Sequence, residues 1–155
     1  MTPRTCCFAL VVVFTAALWG ACGPGFNSAS GDDVQRRGAL PLATDVPGDD
    51  RVSAEQGDNT DWKAFELGAE GNVRVRLWWD DPSIEAHLFL HNDRAKKLAD
   101  IAHEAGVRYD ELGPISLGAG LYYLKVEATD GASVYTLEVL TDSGQGGAGS
   151  NRPGF

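Results

Sequence analysis

The sequence predicts an all-β domain, an antiparallel, jelly-roll-like β-sandwich of about seven to nine strands. Three observations predict it. Apolar residues alternate with period two in several separate segments, the signature of strands with one buried and one wet face. Between those segments fall Gly, Asn, Asp and Pro residues, which supply the backbone angles of reversals. Both ends of the chain lack any apolar period, which leaves residues 39–142, a span that one hydrophobic core can hold together.

Residues 1–21 read as an export signal. Met1 and Arg4 make a short positive start, and Phe8 to Trp19 is an apolar run of 12 residues. Crossing the hydrocarbon core takes about 20 residues of helix, so the run is too short to span and fits a segment that is removed. It ends in Leu18-Trp19-Gly20-Ala21-Cys22, which resembles the bacterial lipobox, with Trp19 where an aliphatic residue is usual. The resemblance implies that Cys22 receives a diacylglycerol thioether and becomes the new N-terminus. Cys6 and Cys7 lie in the removed part, so Cys22 would be the lone thiol and no disulfide could staple the fold. The expected location is outside the cytoplasm, lipid-anchored to the cell membrane, with the outer membrane favoured and the domain facing periplasm or exterior.

The formal net charge is −9. Such a surface repels phosphate backbones, so nucleic acid is not an expected partner. It gives no electrostatic help on an anionic bilayer either. Acyl chains would have to hold the protein there, at about 0.8 kcal/mol per buried methylene.

Residues 22–38 are rich in Gly, Ser, Asp and Asn and read as a flexible tether, and residues 143–155 as a disordered tail. Between them, Asn72 to Trp79 puts Val73, Val75, Leu77 and Trp79 on one face and Arg74, Arg76 and Trp78 on the other. Glu85 to His91 puts Ala86, Leu88 and Leu90 inside and His87, Phe89 and His91 outside. Tyr122, Leu124, Val126 and Ala128 form the buried set of a further strand, and Tyr135, Leu137 and Val139 that of the last. Asp61 to Leu67 reads as another strand, in which Lys63 shares parity with Phe65 and is expected near an end. Breaks at 68–72, 80–83, 117–120 and 130–131 supply the turns. Residues 94–104 are ambiguous: Ala95, Leu98, Ile101 and Ala102 have helical spacing, and a short strand after a turn at Asn92-Asp93 is favoured from context.

Gly57 to Phe65, with its Asp-aromatic-x-x-Phe opening, Ala86 to His91, and Leu117 to Val126, with its Ala-Gly-x-Tyr-Tyr-x-x-Val pattern, occur in this order. Together with Tyr135 to Val139 they resemble the bacterial pre-peptidase C-terminal domain family over about residues 40–140. The resemblance implies a sandwich without an active site, of a kind usually appended to secreted hydrolases, where it aids secretion or binds a substrate or surface. Some relatives bind calcium.

No G-x-S-x-G, H-E-x-x-H, phosphate-loop or dinucleotide-binding glycine pattern occurs in the sequence, and no catalytic residue or cofactor is expected. The candidate ligand-binding face joins Arg74, Arg76 and Trp78 to His87, Phe89 and His91 on what is expected to be a neighbouring strand. Aromatic and guanidinium groups on one face suit stacking on a sugar or a protein. His87 and His91 are roughly 13 Å apart at about 3.3 Å per residue, too far to share a metal. Acidic turns at Asp58 and Asp61, at Asp80 and Asp81, and at Asp49-Asp50 are weak calcium candidates. The expected function is a membrane-anchored, non-catalytic binding or structural module of the bacterial cell envelope, with an envelope protein or polysaccharide as partner. An accessory subunit of a secreted hydrolase is the alternative.

Overall fold

Alternation becomes nine strands in the computed structural model, which describes residues 33–142. The expected export signal, Cys22, most of the tether and the tail lie outside the described residues. The strands are β1 (Leu40–Pro41), β2 (Gly48–Ser53), β3 (Thr60–Leu67), β4 (Gly71–Trp79), β5 (Glu85–Asn92), β6 (Lys97–Ala102), β7 (Tyr109–Leu117), β8 (Gly120–Asp130) and β9 (Ala132–Thr141). They form a five-stranded sheet in the order β1-β3-β8-β5-β6 and a four-stranded sheet in the order β2-β9-β4-β7. Every pairing is antiparallel except that of β1 with β3. This is the expected sandwich, and residues 97–102 are the strand that context favoured.

Each sheet contributes one apolar face to a single core. Val73, Val75, Leu77 and Trp79 of β4 meet Ala86, Leu88 and Leu90 of β5 and Leu124 and Val126 of β8, all essentially inaccessible to water. At about 25 cal/mol per Å² of apolar area, such burial is the main term favouring the fold. With no cysteine pair among the described residues, the core carries the domain.

β7 enters through a local irregularity. Its pairing with β4 shifts between Val73 and Val75, and Gly113 sits opposite at φ +121°. A Cβ there would lie 2.6 Å from the Val73 carbonyl oxygen. Only glycine fits that close approach and that backbone angle.

Four expectations need correction. Lys63 lies midway along β3, not near an end, and points inward beside Asp61, Phe65 and Leu67. Asp49 and Asp50 belong to β2 rather than to a turn. β4 and β5 are in different sheets, so their wet faces look in opposite directions. Residues 33–38, read as tether from their composition, contain a 3-10 turn at Arg36–Gly38 and a fully buried Asp33.

Candidate functional site

The outer face of the five-stranded sheet carries an aromatic platform. Antiparallel register sets Trp62 of β3 beside Lys125 of β8, and Lys125 beside Phe89 of β5. The next row runs Ala64, Tyr123, His91, and the row on the other side Thr60, Glu127, His87. Side chains directly opposite on antiparallel strands stand about 4.5–5.5 Å apart at Cβ, so the rows touch. Trp62 and His91 have ring centroids 5.2 Å apart, His87 and Phe89 5.5 Å, and Phe89 and His91 6.3 Å. Cations cover the rings: Lys125 Nζ is 4.2 Å and Lys97 Nζ 5.7 Å from the Phe89 centroid, and the Arg36 guanidinium 5.1 Å from that of Tyr123. The rings, Lys125 and Arg36 are half-buried and Lys97 is exposed, while His91 Nε2 is buried without a hydrogen-bond partner. The His91 ring is held by the Ala95 carbonyl oxygen, 3.2 Å from Nδ1, and burial pushes its pKa below the usual histidine value.

Three of the six expected ligand-face residues, His87, Phe89 and His91, stand on this platform. Arg74, Arg76 and Trp78 stand on the outer face of the four-stranded sheet, across the thickness of the sandwich. There they are engaged with one another's neighbours. Arg74 Nη1 donates to Glu111 Oε1 at 2.8 Å and Arg76 Nε to Glu111 Oε2 at 3.2 Å. The Tyr109 hydroxyl also donates to Glu111, and its ring lies 5.4 Å from that of Trp78. The Tyr109 hydroxyl foremost, and then Arg74, hold the Glu111 carboxyl below its ordinary pKa.

A second constellation lies at the open edge of the sandwich, where β2 faces β1 and β3. Lys63 Nζ donates to Asp33 Oδ2 at 3.0 Å and also to Asp50 Oδ2. The Tyr135 hydroxyl, reaching from the opposite sheet, donates to Asp61 Oδ2 at 2.7 Å. Asp33, Asp50 and Asp61 each offer a carboxylate oxygen within 4.8 Å of the others. Asp58, 1% exposed, has neither carboxylate oxygen hydrogen-bonded, and Asp33 Oδ1, Asp61 Oδ1 and Ser53 Oγ are likewise buried without a partner. Burial raises the pKa of Asp33 and Asp58, and that of Asp61 to about 7 despite the Tyr135 hydrogen bond. Burial pulls Lys63 down, and the hydrogen bonds it donates to Asp50 and Asp33 outweigh that, leaving its pKa raised.

Buried oxygens without donors are uncommon in folded proteins and call for an explanation. A donor set made only of oxygens, several of them carboxylate, fits a hard divalent cation such as calcium. Of the sequence's calcium candidates, Asp61 belongs to this group of three, and Asp58 is buried within electrostatic reach of Asp33 and Asp50. Asp81 instead accepts from the backbone N–H and hydroxyl of Ser83 within its own turn, and Asp80 neighbours it, outside the cluster.

The residues that sequence reading missed divide in two. Trp62, Tyr123 and Lys125 could have been found, because each has the opposite parity to a buried neighbour. Asp33 could not, since nothing in its Gly- and Asp-rich surroundings relates it to a lysine thirty positions on.

No protein-family model matches the sequence, and none of the curated protein sequences matches it. Among solved structures the chain is similar to the pre-peptidase C-terminal domain of a collagenase from Bacillus anthracis, at 23% identity with a TM-score of 0.56, over 65% of this chain and 93% of that one. That likeness shows the fold, a sandwich like that of the pre-peptidase C-terminal domain. Two weaker likenesses are the surface-associated copper-binding protein CorA of Methylomicrobium album BG8 (11% identity, TM-score 0.46, 65% and 97% covered) and a carbohydrate-binding module in complex with calcium and xylotriose (14%, 0.37, 61% and 87%).

Proposed function

We propose that this chain is a non-catalytic binding module of the bacterial cell envelope, exported, held to a membrane by a lipidated Cys22, and binding a neutral polysaccharide on its five-stranded sheet. The observation that carries the reading is the platform of Trp62, Phe89, Tyr123, His87 and His91, half-exposed on one face with Lys125 and Glu127 between the rings. Sugar rings present C–H faces that stack on aromatic rings, and their hydroxyls take hydrogen bonds from interleaved polar groups. A net charge of −9 disfavours polyanions. The other face, where Arg74 and Arg76 share Glu111, is already satisfied internally.

Affinity electrophoresis through gels containing neutral polysaccharides tests the reading. Retardation of the wild type, lost in Trp62→Ala and Phe89→Ala while melting temperature holds, supports it. Absence of retardation, with one envelope protein or one hydrolase recovered stoichiometrically from a detergent extract, would replace it with a protein-binding role or with the accessory-subunit reading. An intact-mass spectrum of the membrane-extracted chain reports the cleavage site and the acyl groups on Cys22 together.

A further inference from the structure

The net charge of −9 is unevenly spread. Six of the eleven Lys and Arg among the described residues, Arg36, Arg37, Arg94, Lys96, Lys97 and Lys125, gather at one end of the platform, where the 3-10 turn meets the turn between β5 and β6. Arg36 Nη1 joins the two turns by donating to the Asp93 carbonyl oxygen at 2.7 Å. The Asn92 side-chain oxygen accepts from the backbone N–H groups of Arg94 and Lys96 at 3.0 and 2.9 Å, which braces the turn that carries them. Three acids stand among the six bases, and two of these are paired, Asp100 with Lys97 and Glu127 with Lys125; the third is Asp93. Six bases against three acids leave this end at +3, whereas the other described residues hold five bases against eighteen acids. Arg37, Arg94 and Lys96 are exposed and make no ion pair with the described residues.

Apolar groups flank the same end. Val34, two positions before Arg36, is 38% exposed, Leu98, next to Lys97, 37%, and Leu121, two before Tyr123 on the outer face of β8, 41%. They are half of the six large apolar side chains exposed among the described residues. Bases beside exposed apolar groups suit the boundary between lipid headgroups and acyl chains.

We propose that this basic end is a docking surface for anionic phospholipid headgroups, which seats the domain on the bilayer that holds Cys22. The inference rests on the lipidated-Cys22 reading for its membrane. A soluble polyanion would meet the same charges, but the apolar flank and the route of the chain favour a bilayer. Asp33 is eleven residues from Cys22, a separation of at most about 40 Å at about 3.6 Å per residue, and Arg36 and Arg37 follow at once. The end where the chain enters the domain is thus the one an anchor keeps near the membrane. Acids elsewhere on the sandwich do not oppose the contact, since charges in physiological salt act over only about 8 Å. Seated on this end, the five-stranded sheet stands up from the bilayer with its outer face open to the side.

Reductive methylation of Lys96, read by mass spectrometry, tests the proposal on the membrane-extracted chain reconstituted in two kinds of vesicle, phosphatidylcholine alone and phosphatidylcholine mixed equally with phosphatidylglycerol. Lys96 is expected to be protected on the mixed vesicles only, and the protection to disappear in high salt. Arg37→Gln combined with Arg94→Gln should weaken docking about 25-fold, about fivefold for each cation, and abolish the protection with melting temperature unchanged. Equal methylation on both kinds of vesicle, or protection that persists in the double variant, would overturn the proposal. So would protection by soluble polygalacturonate without protection by the mixed vesicles, which would reassign the basic end to a polyanionic ligand. An intact mass without acyl groups on Cys22 is a separate failure, of the anchor. The unacylated chain is then sedimented with both kinds of vesicle: sedimentation with the mixed ones alone upholds the basic end, and sedimentation with both or with neither overturns it.

Discussion

The ammonium of Lys63, midway along β3, lies 3.0 Å from the fully buried Asp33 Oδ2, thirty residues earlier in the chain. That contact ties a stretch with no apolar period to the edge of the sandwich. A second bond from the same ammonium to Asp50 joins the two sheets. Removing one partner of a buried ion pair costs about 3–5 kcal/mol, because the other charge is left uncompensated. In calcium-free buffer, Lys63→Met is therefore expected to lose about that much stability. Urea denaturation of the two chains in chelator checks it, and an unchanged midpoint would mean that the pair contributes nothing.

On the opposite edge, Asp110 Oδ2 accepts from Trp79 Nε1 at 2.7 Å and lies 2.8 Å from His103 Nδ1, while His103 Nε2 lies 3.1 Å from the Pro82 carbonyl oxygen. Both ring nitrogens of His103 face acceptors, and its side chain is 1% exposed. Asp110→Ala leaves two buried donors unserved and is expected to cost about 3–5 kcal/mol. Asp110→Asn keeps an oxygen for the indole and should cost less. Chemical denaturation followed by tryptophan fluorescence ranks the two; equal losses would show that the carboxylate charge is not what matters.

Much of this was legible in the sequence, for a physical reason. Period-two patterns in β4, β5, β8 and β9 report burial directly, since each side chain's face is fixed by its parity. β2 and β7 were not legible. β2 is an edge strand whose inward positions include Asp50, and β7 is interrupted at Gly113, so neither shows a clean alternation. The partition of strands between sheets was not legible either. Pattern says that Arg76 and Phe89 both face water, and only topology says that they face opposite sides. Lys63 shows the limit from the other direction: its parity placed it inside, and what makes a mid-strand lysine tolerable, Asp33 and Asp50, is distant in sequence.

The two outer faces should respond differently to mutation. Arg74 and Arg76 are each more than a third exposed and share one carboxylate. Solvent-exposed pairs contribute about 0–1 kcal/mol, so Arg74→Ala is expected to leave the melting temperature within a few degrees and polysaccharide retardation untouched. Trp62→Ala is expected to abolish retardation with a similarly small change in melting. Loss of binding in Arg74→Ala with binding kept in Trp62→Ala would move the binding face to the four-stranded sheet.

The platform also carries a pH dependence with a defined sign. Burial lowers the pKa of His91 below its ordinary value, and the nearby cations Lys125, Arg36 and Lys97 push in the same direction against the Ala95 hydrogen bond. The unfolded chain binds a proton at His91 near pH 6.5, before the folded one does. Stability from this group is therefore complete above about pH 6.5 and is lost as pH falls from there through the folded pKa. Asp61, raised to about 7 by burial, works the other way over an overlapping range, so the wild-type profile alone would mix the two. His91→Phe keeps a ring in the platform and removes only the titrating nitrogen. Urea midpoints of both chains between pH 7.5 and 5 should converge toward the variant's favour on acidification: the wild type loses ground relative to His91→Phe as pH drops. A constant difference across that range would show that His91 titrates alike in the folded and unfolded chains, and that its ring is wetter than its position between Trp62 and Phe89 implies.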